Sequence, residues 1–405
     1  MRIAVDLRAL QLGSEYRGIG AYLVQLLRRF PISDGPDRFV FLRFDESDPV
    51  AALGLADGGY DEIIVDRGRP VTGKVSAMRR LWDEAFHSDF GSLVDGDVDV
   101  FWQPDMYQGV PDFTETRVVV TMYDLIPMIM QAEYLPSRPQ RLRRDGRDVK
   151  TWIRAFLSGE VADRKYRRCV SQVSRADTVL SISEATTDDL VRLLDIPRRR
   201  VVTIPLGAPQ PLEEPDDDHG SGRDGRPFLL FIGGVDHRRR VADLVGAFEV
   251  LRDEGRPLDL VLVGRDFESM NEVHHQKGLR ALRETRYPDD IDVLGYVDDD
   301  EKDDLYRRAS AFVFPSAYEG FGLPVLEAMA HRCPVVAYDN SSIPEVAGDA
   351  AVLVADPGPG PLADAIGALL DDPERRSELV AAGIDRVRLF SWDRCAQRTL
   401  DELRA

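Results

Sequence analysis

Short apolar, β-branched runs alternate along the chain with longer segments in which polar residues recur at helical spacing. Runs that are apolar at every position indicate strands buried on both faces, and the segments between them indicate helices. The pattern predicts strands at residues 3–7, 39–44, 62–65, 98–102, 118–122, 178–182, 201–205, 228–232, 258–263, 291–294, 311–314, 335–338 and 351–354. This alternation predicts parallel sheets covered by helices.

The alternation is interrupted once, between Pro209 and Pro227. That stretch combines prolines, an acidic run and glycines without periodicity, which is typical of a linker. Because the chain has 405 residues, two domains are expected. We predict two doubly wound α/β domains that face a central cleft, where ligands are expected to bind. Their bounds are 1–208 for the N-terminal domain, 209–227 for the linker, 228–390 for the C-terminal domain and 391–405 for a last helix that packs on either domain.

Charge and composition exclude some classes of function. The formal net charge is −19, so nucleic acid is not expected as a partner. Three widely spaced cysteines, Cys169, Cys333 and Cys395, predict neither a disulfide framework nor a metal site and favour a reducing compartment. No charged-then-apolar leader opens the chain, and no apolar run approaches the roughly 20 residues of a membrane span. A cytoplasmic protein is therefore expected.

The segment after the predicted strand at 311–314 is the most informative. A loop with Gly320 and Gly322 leads into a helix that we expect to begin at Pro324. The free N–H groups and the dipole of a helix N-terminus favour a phosphate. Glu319 lies in the loop, and Glu327 lies about one turn inside the helix, where a carboxylate suits the vicinal hydroxyls of a ribose. Taken alone, the pattern is more typical of an ordinary turn between a strand and a helix.

Further motifs surround this segment in the C-terminal half. They read Tyr318-Glu319-Gly320-Phe321-Gly322-Leu323-Pro324, Glu327-Ala328-Met329, Phe231-Ile232-Gly233-Gly234-Val235-Asp236, Leu262-Val263-Gly264, Leu294-Gly295-Tyr296-Val297 and Ser342-Ile343-Pro344-Glu345-Val346. Together they resemble the retaining glycosyltransferases of the GT-B fold with the E-x7-E motif, family 4, also described as glycosyl transferases group 1. The resemblance implies a Rossmann-like donor domain at the C-terminal end and an acceptor domain at the N-terminal end.

The resemblance also implies roles for single residues. Glu327 is expected to bind the ribose, and Glu319 is expected to lie near the transferred sugar. The other implied donor-site residues are Phe321, Gly322 and Leu323, through backbone amides to the sugar and diphosphate, and Tyr296 and Val297, beside the nucleobase.

The basic residues depart from the family's usual pattern. Gly234 stands where relatives commonly have an arginine, and Arg239 stands where they commonly have a lysine. Both arginine and lysine neutralise a diphosphate. We therefore predict that Arg239, with Arg238 second, stabilises the leaving group. The alternative is a solvated basic turn.

The N-terminal half carries the acceptor-side candidates. Gly18 and Gly20 are predicted to form a glycine loop before a helix at 22–30, with a simple tight turn as the alternative. Tyr123 stands where the family commonly has a histidine near the reacting sugar, and a tyrosine does not titrate near neutrality. Asp124 is predicted to bind an acceptor or sugar hydroxyl, or to cap the next turn.

Two charged patterns bear on metals and membranes. Asp95, Asp97 and Asp99 form an Asp-x-Asp string, which we interpret as a turn because its half is not expected to hold the diphosphate. Five arginines between Arg138 and Arg147 form a basic patch. A surface helix is the plain interpretation, and peripheral docking to anionic lipid or to an anionic acceptor is the sharper alternative.

The predicted function is therefore transfer of a hexose from a nucleotide-sugar substrate to a hydroxyl acceptor. The resemblance implies net retention at the anomeric carbon, in a scheme that needs no cofactor or metal. GDP-mannose, UDP-glucose and UDP-N-acetylglucosamine are all compatible with the sequence, and the family weakly favours mannose. The alternatives are a nucleotide-sugar epimerase or a phosphorylase on the same architecture, and a non-catalytic nucleotide-sugar-binding protein.

Overall fold

The computed structural model of the chain describes residues 1–11, 18–44, 49, 59–65, 94–134, 163–212, 225–268 and 276–405. They form two compact units, one of Met1–Leu206 with Trp392–Ala405 and one of Gly207–Ser391. Each unit contains one sheet, and every pair of neighbouring strands in both sheets is parallel.

The first unit is built on seven strands. They are β1 (Arg2–Asp6), β2 (Arg38–Phe44), β3 (Tyr60–Val65), β4 (Val100–Gln103), β5 (Arg117–Met122), β6 (Thr178–Ser181) and β7 (Val201–Thr203). Their order in the sheet is β3-β2-β1-β4-β5-β6-β7. The helices described between them are α1 (Gly18–Leu27), α2 (Ile126–Ile129), α3 (Gln131–Tyr134), α4 (residues 163–172) and α5 (Glu184–Leu194).

The second unit repeats this plan with six strands. They are β8 (Phe228–Ile232), β9 (Asp259–Val263), β10 (Ile291–Leu294), β11 (Ala311–Phe314), β12 (Val335–Tyr338) and β13 (Val352–Val354), in the order β10-β9-β8-β11-β12-β13. The helices are α6 (Val241–Asp253), α7 (Gln276–Glu284), α8 (Asp299–Arg308), α9 (Leu323–Ala330), α10 (Ile343–Ala347), α11 (Pro359–Asp371) and α12 (Pro373–Val387).

The last helix, α13 (Trp392–Arg404), belongs to the first unit. Trp392 packs near Tyr22 of α1 with 6.4 Å between ring centroids. The Asp393 carboxylate lies 2.7 Å from Nε of Arg29, and Arg117 donates to the Glu402 carbonyl at 2.8 Å. The sequence pattern left the partner of this helix open, because an amphipathic helix does not encode which apolar surface it covers.

Both cores form between the sheets and their helices. Strands such as β4, β11 and β12 are buried at every position, as expected for strands covered on both faces. Leu229 of β8, Leu260 of β9 and Val313 of β11 lie in the same apolar cluster as Leu244 of α6 and Ile366 of α11. Each of these five side chains is completely shielded from solvent.

All of the predicted strands are present, and their ends differ from the prediction by at most two residues. β4 begins at Val100 because the residues before it form a turn in which Asp95 accepts hydrogen bonds from the backbone N–H groups of Thr114, Glu115 and Thr116. These bonds, first of all the one from Thr114, lower the pKa of Asp95 to about 2. The turn interpretation of the aspartate string agrees with this geometry.

The predicted glycine loop at Gly18 and Gly20 is wrong. Both residues lie in the first turn of α1, which begins at Gly18 and not at Tyr22. The helix extends back because Gly20, Leu23 and Leu27 recur on its buried face at helical spacing. Tertiary packing thus overrides the low helix propensity of glycine at this position.

Candidate functional site

The second sheet has a topological switch point between β8 and β11. β9 and β10 lie on one side of this pair, and β12 and β13 lie on the other side. In doubly wound sheets, ligands bind beyond the carboxyl ends of the strands at such a point. The segments that leave these two ends are residues 233–240 and 315–322. They contain most of the predicted donor-site residues.

The loop after β11 is held in shape by the segment before α10. The Ser342 hydroxyl donates to the carbonyls of Glu319 at 3.0 Å and of Phe321 at 2.7 Å. The Ser341 hydroxyl accepts from the Glu319 N–H at 2.9 Å. The side chain of Asn340 also donates to the Ser316 carbonyl at 2.9 Å. The sequence motif that contains Ser342 does not predict this preformed loop, because the hydrogen bonds join segments about twenty residues apart in the chain.

Gly322 sets the entrance of α9. It is the N-cap, with a φ of 111° and a ψ of 42°, in the left-handed region that favours glycine. A Cβ at this position would lie 2.8 Å from Cδ1 of Ile343. The helix begins at Leu323, so Pro324 is its second residue and not its first as predicted. No side chain caps this helix, and its first N–H groups follow the glycine directly.

Glu319 and the two predicted arginines come together at this point. Oε1 of Glu319 lies 2.8 Å from Nη1 of Arg239, and Nη1 of Arg238 contacts the same oxygen. The carboxylate is 9% exposed, and the two arginine side chains are 15% and 16% exposed, so the contact is largely shielded from water. The sequence predicts related roles for these three residues, but it does not predict that they pair with one another.

The arginines are positioned by a tight turn after β8. The turn, His237–Arg239, begins after Asp236, whose carboxylate accepts from the Arg238 N–H at 3.1 Å. The Arg238 carbonyl accepts from the Ala317 N–H at 2.6 Å, which ties this turn to the loop after β11. The Arg239 guanidinium lies over the Phe314 ring, 5.2 Å from its centroid, a cation–π contact.

Gly234 leaves room for a carboxylate where the family resemblance implies an arginine. Oδ2 of Asp266 accepts from the Val235 N–H at 3.3 Å. A Cβ at position 234 would lie only 2.3 Å from that same oxygen. The place of one expected cation is thus taken by an anion. The sequence offered little signal for this, because Asp266 follows a different strand.

The two glutamates of the motif have different surroundings. Oε2 of Glu327, in α9, accepts from the Tyr306 hydroxyl at 3.2 Å.

Tyr296, beyond the carboxyl end of β10, is 61% exposed, and the Arg265 guanidinium lies 4.4 Å from its ring centroid. Its N–H donates to the Glu268 side chain at 2.8 Å, and the neighbouring Val297 is half-buried. An exposed aromatic ring at this edge suits stacking with a planar base.

The acceptor-side candidates lie in the first unit. The Tyr123 hydroxyl donates to the Pro104 carbonyl at 2.8 Å, and burial raises the pKa of Tyr123 well above its usual range. Oδ1 of Asp124 accepts from the Ile126 N–H at 3.0 Å, so this carboxylate takes part in the turn before α2. Their roles toward an acceptor stay predictions.

The switch point of the first sheet holds a buried ionic network. Arg8 pairs with both oxygens of Asp6, at 2.9 and 2.6 Å, and Gln103 donates to Asp6 at 2.9 Å. Asp6 and Gln103 are completely buried, and Arg8 is 2% exposed. The hydrogen bond from Gln103 of β4 to Asp6 of β1 links the carboxyl ends of these two strands, and the bidentate pair with Arg8 holds the Asp6 carboxylate in place.

The part of the chain that the structure describes contains no group of three or more His, Cys, Asp or Glu side chains that could hold a metal ion. None of its helices has the length and apolar content that a bilayer crossing requires. The arginine patch between Arg138 and Arg147 lies outside the described residues.

Comparison with known proteins identifies the family. A model of the family described as glycosyl transferases group 1 matches residues 214–386. O-antigen chain mannosyltransferase B from Escherichia coli is 33% identical over 288 residues, which are 66% of this chain and 71% of that protein. The chain belongs to the glycosyl transferases group 1. The predicted membership of the glycosyl transferases group 1 and the predicted class of enzyme, a glycosyltransferase, are therefore confirmed.

Solved structures share the fold of this group 1 glycosyltransferase over its whole length. Sucrose-phosphate synthase from Thermosynechococcus elongatus matches with a TM-score of 0.68 at 18% identity, over 100% of this chain and 98% of that chain. HepE from Anabaena, in complex with UDP-glucose, matches with a TM-score of 0.66 at 14% identity, over 100% of this chain and 99% of that chain. These likenesses, together with the two parallel sheets, confirm the predicted GT-B fold class.

Proposed function

We propose that the chain is a retaining glycosyltransferase that moves a hexose from a nucleoside diphosphate sugar to a hydroxyl acceptor. The contact of Glu319 with Arg238 and Arg239, at the switch point of the second sheet, carries this proposal. Two cations beside one carboxylate supply the charges that a diphosphate and a sugar hydroxyl require. The glycine-initiated helix α9 adds backbone N–H groups in the same segment.

Each donor residue then has a defined task. Arg239, with Arg238, neutralises the diphosphate, and the amides of Phe321, Gly322 and Leu323 bind the sugar and phosphate oxygens. Glu327 accepts hydrogen bonds from the ribose hydroxyls, and Glu319 accepts them from the hexose. Tyr296 and Val297 border the nucleobase, and Gly234 admits Asp266 beside the site.

The reaction exchanges one bond at the anomeric carbon for another. The bond from this carbon to the diphosphate oxygen breaks, and a bond to the acceptor oxygen forms on the same face of the sugar. The acceptor's proton passes to the leaving diphosphate. The protein's contribution is to stabilise the negative charge that develops on this group, which the arginines and amides do without a metal.

The proposal for the donor has two parts, the transferred sugar and the nucleotide that carries it. The relative from Escherichia coli is named a mannosyltransferase, which favours mannose as the transferred hexose. The solved HepE structure holds UDP-glucose, which keeps a UDP-sugar as the second candidate beside GDP-mannose. A thermal-shift screen of nucleoside diphosphates tests this, since the base that raises the melting temperature identifies the donor class.

The acceptor is assigned to the first unit, where Tyr123 and Asp124 are the candidate contacts, with Gly18 and Gly20 in α1. We also propose that the enzyme is cytoplasmic and contacts the membrane peripherally through the arginines between Arg138 and Arg147. Liposome binding of a variant that lacks these arginines tests the contact, and binding equal to that of the wild type would contradict it.

The central test separates the two glutamates. Glu327→Ala is expected to weaken nucleotide-sugar binding in calorimetry, whereas Glu319→Ala is expected mainly to lower turnover in steady-state kinetics. Glu378→Ala, on the surface of α12, is the matched control and should change neither. Unchanged donor affinity in Glu327→Ala would refute the ribose role. Incubation of donor without acceptor tests the activity itself, because a changed sugar would indicate an epimerase.

A further inference from the structure

Glu327 is held by a cluster of side chains that the proposed donor contacts do not use. Tyr306 of α8 is completely buried, and its hydroxyl donates to Oε2 of Glu327 at 3.2 Å. The described residues provide no hydrogen bond to the other oxygen, Oε1. One oxygen of the carboxylate is therefore bound from within the protein, and the other has capacity to accept hydrogen bonds from a ligand.

The ring of Tyr306 is fixed on both sides. Its centroid lies 5.4 Å from that of Phe312 in a T-shaped contact with 68° between the ring planes. On the other side it stacks on His331, with 5.6 Å between the ring centroids and 16° between the planes. His331 is fixed in turn, because Nδ1 lies 2.8 Å from the Glu327 carbonyl and Nε2 lies 3.2 Å from Asp303. A ring packed in this way offers its hydroxyl at one place only, so the carboxylate is held by a rigid donor.

The surroundings keep two members of this cluster, Tyr306 and Lys302, protonated. Burial, and then the charge of Glu327, raise the pKa of Tyr306 well above its usual range, so the hydroxyl stays a donor. Burial lowers the pKa of Lys302, but the carboxylates of Glu327 and Asp299 outweigh this effect and raise it overall. Lys302 is therefore a cation near Glu327, one turn before Tyr306 in α8.

We propose that Tyr306 is a positioning residue that orients the Glu327 carboxylate toward the ribose hydroxyls of the donor, which rests on the ribose role of Glu327 proposed above. A fixed carboxylate loses less conformational entropy when the ribose binds, so its hydrogen bonds contribute more to affinity. Tyr306 thereby acts on ribose recognition without touching the ligand.

The effect of Tyr306→Phe is specific to the ribose. This change removes one hydroxyl and keeps the packed ring, so the fold should be retained. We expect affinity for GDP or UDP, whichever the protein binds, to fall about tenfold, equivalent to about 1.4 kcal/mol. Affinity for the 2′,3′-dideoxy form of that nucleotide should not change. Because the ratio of the two affinities is measured on one sample, partial unfolding does not alter it.

Calorimetry with both nucleotides on the full chain tests the proposal. Tyr287→Phe is the matched control, since its hydroxyl donates to Asp253 at 2.7 Å on the same unit, and it should leave the ratio unchanged. Equal weakening of both nucleotides by Tyr306→Phe, or no weakening of either, would overturn the positioning role. Glu327→Gln separates the two levels. If Glu327→Gln has the same ratio of affinities for the nucleotide and its dideoxy form as the wild type, the ribose role of Glu327 itself is wrong. If Glu327→Gln loses the preference for the nucleotide with ribose hydroxyls while Tyr306→Phe keeps it, only the inference about Tyr306 is wrong.

Discussion

Substituting glutamine for Glu319 removes the charge that Arg238 and Arg239 contact, while it keeps nearly the same side-chain volume. The structure pairs these guanidinium groups with the carboxylate, and the proposed donor complex pairs them with the diphosphate. The carboxylate therefore competes with the ligand for the same cations. We expect Glu319→Gln to bind nucleoside diphosphates more tightly than the wild type does, although its turnover is lower.

The size of this gain follows from the shielding of the contact. An exposed ion pair contributes about 0.2–1 kcal/mol, whereas breaking a buried ion pair costs about 3–5 kcal/mol. The carboxylate is 9% exposed and the arginines are 15% and 16% exposed, so screening by water is limited. When the diphosphate takes its place, the released carboxylate regains part of this free energy through its interaction with water. We expect a net gain of about 1–3 kcal/mol, which corresponds to a Kd that is roughly 5- to 150-fold lower.

Calorimetry with GDP and UDP measures this directly, and steady-state kinetics with the matching nucleotide sugar measures the loss of turnover. Glu284→Gln is the control, because it removes the same charge from a pair with Arg280 in which both side chains are more than half exposed. That control should not change the Kd. A Kd for the nucleoside diphosphate that is unchanged or higher in Glu319→Gln would show that the carboxylate does not compete with the ligand.

Two predictions concern stability. Gly322→Ala places a side chain at a φ of 111°, close to Ile343, and should lower the free energy of unfolding by about 1–3 kcal/mol in thermal denaturation. Gly360→Ala, where a Cβ would meet nothing within 4 Å, should not, and equal losses would contradict the strain argument. Burial alone would raise the pKa of Asp37, but hydrogen bonds from Arg404 and the chain's α-amino group outweigh it and lower the pKa. This carboxylate therefore stabilises the fold above its unfolded pKa of about 3.9 and loses that effect as the pH falls. Asp37→Asn should accordingly be less stable at pH 7, with a flatter pH dependence below about pH 4 in urea unfolding, and an unchanged slope would contradict the pairing.

Much of the fold could be predicted from local pattern. Apolar runs predict each strand, including β8, β10, β11 and β12 at their exact bounds, because a strand buried on both faces must be apolar at every position. Helix starts were less predictable. α1 begins four residues earlier than expected at Gly18, because packing of its buried face outweighs glycine's propensity.

The candidate site was predicted in its parts. The spacing of Glu319 and Glu327 around a glycine loop, together with the family resemblance, located both carboxylates and the nearby arginines from the sequence. Their pairing could not be predicted, because Arg239 and Glu319 are eighty residues apart in the chain. Only the parallel pairing of β8 with β11 brings the two segments after these strands together.

The sequence by itself thus determined the strands, the two-domain α/β class and the residue types at the candidate donor site, because these depend on local periodicity and on short motifs. The tertiary structure decided which groups meet: the two arginines on Glu319, Asp266 in the space that Gly234 leaves, and Tyr306 on Glu327. The physical reason is that strand order in the sheet sets these contacts, and strand order is fixed by long-range packing that no local pattern encodes.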